Sequence, residues 1–364
     1  MELKKYFFIV VEFVSRIQMK ITAIILSIAV IMGCFAYSLS YFKTTDPIPE
    51  FNIIDAAKQR EFGAFTVKVN TGIYIKNFSN FDIIRGHFVV DALVWFEFNS
   101  DEVMLETIGK FTFDNGRFLK KSPPDIKIVA NKTIATYDVR IDFKSSMNYH
   151  QFPLEDHRVS LVMTNNFVTP HEMFFLVDNT CFNIAPKVSI SNWRIRDVYT
   201  DAGYTAPTLD TKDENKTTTF PKAIFLINME KAGIKKLLVI FMPLYLAVFL
   251  SFFSFLMSIG NVIGRFSLAA SGVSALLGYR FVIEKMIPEV GYFTTTDSIF
   301  TMLLMINFLV FVWQLLLGRS FPAKPPPGFK SPQKKLDLFE MLNTLVFLFL
   351  LVLMTTSSGI FLLQ

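Results

Sequence analysis

The stretch Ile263–Phe300, IGRFSLAASGVSALLGYRFVIEKMIPEVGYFTTTDSIF, decides how the rest of the chain is read. Ser267, Ser271, Ser274 and Gly278 recur at steps of four, three and four. That period places them on one face of a helix. The face continues through Phe281 or Val282 to Lys285. Leu268, Val273, Leu276, Leu277 and Ile283 occupy the other faces, and Pro288 ends the pattern. Two readings follow. Small residues at helical spacing let membrane helices pack closely. Alternatively, several copies around an axis point the hydroxyls at water, and the helix lines a pore.

The composition favours a membrane setting. Of 364 residues, 52% are hydrophobic and 41 are Phe. That is too apolar for an ordinary soluble protein of this length. A net charge of +5 is too small for a polyanion-binding surface, so no nucleic-acid partner is expected. Cys34 and Cys181 lie far apart, and the four His are scattered. CxxC, HExxH, Walker A and GxSxG sequences are all missing. No enzyme activity, metal or cofactor is therefore expected.

Residues 1–42 carry Lys4, Lys5, Arg16 and Lys20 before a hydrophobic run, Ile21–Leu39, long enough to cross a bilayer. It reads either as a retained signal anchor or as a signal peptide cleaved near Ala36, Ser38 or Ser40. Residues 43–232 are written in strands and turns. VKVNTGIYIKNFSNFD, HFVVDALVWFEFN and DIKIVANKTIATYDVRIDF alternate, with a hairpin turn at Asn131-Lys132. HRVSLVMTN, NWRIRDVY and KAIFLINME follow, with no convincing amphipathic helix. This predicts an all-β sandwich with a polar hairpin loop at Thr205–Thr219. Residues 233–364 predict four spans, at about 237–258, 266–286, 298–317 and 338–363, with a Pro/Lys-rich linker at Arg319–Asp337. Basic residues in that linker, with Arg265, place both on the cytoplasmic side. The β domain and the C-terminus then lie outside the cell (inner) membrane of a multi-pass protein.

An outside β domain followed by four spans resembles the pentameric ligand-gated ion channel (Cys-loop receptor) superfamily. Tyr149-His150-Gln151-Phe152-Pro153-Leu154-Glu155 resembles its Phe-Pro-x-Asp signature loop. Met286-Ile287-Pro288-Glu289-Val290-Gly291-Tyr292-Phe293-Thr294 resembles the turn after its pore helix. Pro243 stands where the first span carries a proline, and GIYIKNFSNFD with FVVDALVWFEF looks like the first two strands. The resemblance covers about residues 65–364. The two family cysteines and the Trp-x-Pro motif are missing, as the former are in prokaryotic members.

The resemblance implies an immunoglobulin-like sandwich, a four-helix transmembrane bundle and a homopentamer passing inorganic ions. The pore lining would be Ser267, Ser271, Ser274, Gly278, Phe281, Val282 and Lys285, with Gly264 and Arg265 at the inner mouth. A ring of Phe281 would form a hydrophobic gate. Gly264 stands where cation-selective members carry glutamate, and Arg265 with Lys285 is positive, so anion or weak selectivity is expected. Coupling would use Asp82, Glu155, Lys231, Pro288 and Glu289, with a Lys231–Glu155 pair. A small molecule or proton would act at Phe111, Phe113, Phe167, Tyr199 and Tyr204. The alternative is a membrane-anchored β-domain protein, binding or structural, without channel activity.

Overall fold

A computed structural model describes residues 17–63, 66–209, 213, 217–320 and 333–363. Lys4, Lys5 and Arg16, and the linker's Lys324 and Lys330, lie outside the described residues. The chain divides into two compact units. One holds residues 43–148 and 156–233; the other holds 1–42, 149–155 and 234–364.

The first unit is a mixed β-sheet domain. Its strands are β1 (Asn52–Ile53), β2 (Val67–Asp82), β3 (His87–Phe98), β4 (Thr112–Phe113), β5 (Gly116–Lys121) and β6 (Asp125–Val129). They continue as β7 (Lys132–Lys144), β8 (His157–Thr164), β9 (Met173–Leu176), β10 (Phe182–Ile184), β11 (Trp193–Thr205) and β12 (Phe220–Lys231). The strand order is β1-β11-β12-β8-β4-β5-β7-β3-β2-β10, with β6 on β7 and β9 on β2. β9 and β10 pair with β2 in parallel, and the other pairings are antiparallel. Every second residue of β3 is buried, as the two-residue period of a pleated strand requires. Gly72 of β2 is obligatory. A Cβ there would lie 2.3 Å from the Cys181 carbonyl and 2.6 Å from the Trp95 ring.

Two expectations shift here. The β6–β7 turn is Ala130-Asn131, one residue earlier than expected, with both residues at positive φ. Short helices also interrupt the strands: α2 (Ala56–Phe62) and α3 (Leu105–Ile108). The Asp55 side chain caps α2 by accepting from the Lys58 amide at 2.7 Å, and Gly63 ends it at φ +108°.

A buried carboxylate organises the start of this unit. Asp46 accepts from the backbone N–H groups of Asn148 (2.7 Å) and Arg158 (2.8 Å), and lies 2.9 Å from His157 Nδ1. Burial alone would raise its pKa. The hydrogen bond and charge of His157 and the two amides outweigh that and hold the carboxyl below its ordinary value. A depressed carboxyl contributes stability above its unfolded pKa of about 4 and loses it as pH falls through the folded value. Asp46→Ala is expected to cost the β unit about 3 kcal/mol at pH 7 and to flatten its acid unfolding, measured by denaturant titration across pH.

The second unit is helical. It contains α1 (Ile17–Leu39), α4 (Lys235–Phe252, continued by a 3-10 turn, Phe253–Leu256), α5 (Val262–Glu284), α6 (Thr295–Ser320) and α7 (Gln333–Leu363). Each carries a stretch long and apolar enough to cross a membrane. Apolar helices stand at the four segments expected to be spans, with α7 starting earlier than expected. Helices α4, α5 and α6 pack on one another, α7 on α6, and α1 on α7. Ser27 and Thr355 hydroxyls meet at 2.6 Å, and the Lys20 ammonium donates to the Phe255 carbonyl at 3.3 Å. Phe35 packs on Phe241 and Tyr245. Lys20 and Phe35 thus meet α4 in reverse order, so α1 runs antiparallel to α4.

Candidate functional site

Helix α5 has two opposite faces. Its buried residues are Arg265, Ala269, Gly272, Leu276 and Ile283. Ser267, Ser271, Ser274, Gly278, Phe281, Val282 and Lys285 are all exposed. At about 100° per residue the two sets fall on opposite sides of the helix. The seam therefore faces away from the other helices among the described residues. The buried face is tight: a Cβ on Gly272 would lie 2.0 Å from Ser251 Oγ and 2.6 Å from the Ala247 carbonyl. Close packing on α4 thus uses a different small residue from those of the seam. Phe281 is 71% exposed, the largest apolar side chain on the seam.

Arg265, expected at the inner mouth, is placed elsewhere. It is 2% exposed on the face opposite the seam. Its Nε donates to Gln314 Oε1 at 2.9 Å, and its Nη2 donates to Asn343 Oδ1. Gln314 Nε2 in turn donates to Ser254 Oγ at 3.0 Å. The guanidinium thus ties the first turn of α5 to α6, α7 and the end of the first span. A charged group held by two neutral amides, one on α6 and one on α7, fixes orientation more than it adds stability. Gly264 is half-buried beside it. The positive inner ring expected from Arg265 is withdrawn from the seam, which leaves Lys285.

At the other end of α5, Arg280 was not singled out by sequence reasoning. Its Nη1 donates to Asp297 Oδ1 at 2.7 Å and its Nε to Glu284 Oε1 at 3.1 Å. Asp297 also accepts from the Thr294 amide and hydroxyl, closing the first turn of α6. Glu284 is thereby held off the seam. The spacing i, i+4 between Arg280 and Glu284 is visible in the sequence; the Asp297 contact is not.

The loop carrying the signature-like motif belongs with the helices. The Tyr149 amide donates to Tyr292 Oη at 2.9 Å, and the His150 ring stacks on Tyr292 at 4.0 Å. The His150 carbonyl accepts from the Thr295 amide at 2.8 Å, and the Phe152 carbonyl from Thr296 Oγ1 at 3.0 Å. The Lys236 ammonium lies over the Phe152 ring at 4.4 Å. The Phe152–Pro153 peptide is cis. Pro288 is buried, and Glu289 is exposed. Glu155 is buried, and its Oε2 accepts from the Gln151 amide at 2.8 Å, which closes the loop.

In the β unit, Lys231 lies 3.2 Å from Asp156, the residue after Glu155. Asp156 also accepts from the Lys231 amide at 3.1 Å and the Lys43 amide at 3.0 Å. One buried carboxylate thus staples the first and last segments of that unit. Asp82 closes the β2–β3 turn by accepting from the Arg85 amide at 3.2 Å.

The ligand candidates are dispersed. Phe111 and Phe113 are buried in an aromatic cluster with Phe118, Tyr137 and Phe143. The Lys121 ammonium lies 3.8 Å from the Phe111 ring centre and 4.9 Å from that of Phe118, and donates to the Gly109 carbonyl at 2.6 Å. Burial brings its pKa down to about 8. Phe167 is 65% exposed, with Lys110 over its ring at 5.1 Å. Tyr204 meets Phe62 edge-on at 5.5 Å, and Tyr199 is exposed on β11. Every aromatic face within reach of a cation in this set already carries a lysine except Tyr199 and Phe113, among the described contacts.

The chain matches no known protein family and no curated protein.

Proposed function

We propose that the chain is a subunit of a pentameric ligand-gated ion channel, with α5 lining the pore. The observation that carries this reading is the pair of opposite faces on α5. Arg265, Ala269, Gly272, Leu276 and Ile283 pack inward, whereas the serines, Gly278 and Lys285 are exposed. Hydroxyls, a bare glycine backbone and an ammonium turned toward lipid would have poor solvation. Copies arranged around an axis turn that face to water instead. Serine hydroxyls then replace part of an ion's hydration shell, and Phe281 narrows the pore with an apolar ring.

The β unit is the ligand-sensing domain on the outer side, reached by the signature-like loop. That loop is continuous in the chain with β7 and β8, and it hydrogen-bonds the start of α6. A displacement of those strands therefore pulls on the first turn of α6, where Asp297 grips Arg280 of α5. The ligand enters on the exposed aromatics Phe167 and Tyr199, beside the half-buried Tyr204. The test is the mass of the intact assembly in detergent by native mass spectrometry. Five copies are expected; a monomer or dimer would favour a membrane-anchored binding protein.

A further inference from the structure

A groove of about 500 Å³ opens between the first turn of α5 and the last turns of α6, lined by Val262, Ile263, Phe266, Gln314, Leu315 and Arg319. Its walls are apolar. Ile263, Phe266 and Leu315 are exposed there, and the Phe266 ring packs tilted on that of Phe311, with centres 5.1 Å apart. Arg319 is exposed at its end and forms no ion pair among the described residues. Both helices carry stretches long enough to cross a membrane, so their ends fall near a bilayer surface. In the sequence Arg319 opens a basic run. From Arg319 to Leu336 there are five basic residues, Arg319, Lys324, Lys330, Lys334 and Lys335, and no acidic one.

We propose that this groove seats one anionic phospholipid. An acyl chain lies on Phe266, Ile263 and Leu315, and the headgroup phosphate meets Arg319. Apolar walls ending in a basic residue match a lipid's own order of chain then phosphate, and basic segments beside a membrane helix attract anionic headgroups. The site also touches the gating framework. Gln314 forms part of the groove wall and accepts from Arg265, which anchors the base of α5. Occupancy by lipid therefore biases how the pore helix is held. The binding itself rests only on the membrane setting; the bias rests on the channel reading.

The test uses the full chain in phosphatidylcholine vesicles with or without phosphatidylglycerol, one lipid at a time brominated on its acyl chains. Phe266→Trp, or Leu315→Trp on the other wall should the first misfold, reports local quenching against the parent's own tryptophans. Brominated phosphatidylglycerol should quench more than brominated phosphatidylcholine at equal mole fraction, by about fivefold in apparent affinity for one basic contact. Arg319→Gln should abolish that preference while leaving quenching by both lipids. Equal quenching in the unmutated background overturns the proposal, as does no quenching by either, the result for a groove filled by a second copy of the chain. Neither readout needs conductance, so failure here is separable from failure of the channel reading.

Discussion

Phe281→Ala is expected to leak current at rest if α5 lines a pore as proposed. Phe281 is the bulkiest apolar group on the seam, and Ser274 and Gly278 below it are small. A ring of phenyl groups closes a pore by excluding water, without touching side to side. Alanine removes the ring and leaves a wide, wettable channel. A barrier lowered by only about 1.4 kcal/mol raises flux about tenfold, so an increase of tenfold or more in resting conductance is expected. Phe281→Leu should retain closure. If the phenyl ring served packing between copies instead, alanine would reduce the yield of intact assembly and leave the closed state unchanged in planar-bilayer recordings.

The second large effect is expected at Asp156. Asp156 is 4% exposed, and its carboxylate holds the Lys43 amide, the Lys231 amide and the Lys231 ammonium. Asp156→Ala leaves those donors buried, and breaking a buried pair by removing one partner costs about 3–5 kcal/mol. Asp156→Asn retains an acceptor and should cost less, about 1–2 kcal/mol. Denaturant unfolding of the full chain measures both, and a cost below about 1 kcal/mol for alanine would show that the staple carries no stability. The expected Lys231–Glu155 pair is examined separately by exchanging the two charges, since restored gating in the double variant needs direct contact.

The long elements were legible because their periods are strong. The β3 run alternates cleanly, and the hairpin ends at Thr205 and Phe220 fall where the pattern stops. Helix α2 was missed although both its signals stand in the sequence, Asp55 as cap and Gly63 as stop; seven residues carry too little periodicity to outweigh the strands around them. Arg265 was legible too. Two residues before Ser267 is the far side of a helix, so the spacing that defines the seam also removes Arg265 from it. Its partners Gln314 and Asn343 stand 49 and 78 residues away, and no local pattern marks them. The same holds for Lys121: its stem is ordinary strand, and only folding sets it against Phe111.

The central claim, that the serine seam of α5 faces an aqueous pore, is tested most directly by thiol modification during recording. Cys34 and Cys181 are first replaced by serine, and single cysteines are placed at Ser271, Ser274 and, on the flank, Val273. A charged methanethiosulfonate reagent is predicted to block current through the Ser271→Cys and Ser274→Cys proteins and to spare Val273→Cys. Equal block at all three positions, or a pentamer that passes no current across a screen of pH and amine ligands, would contradict it.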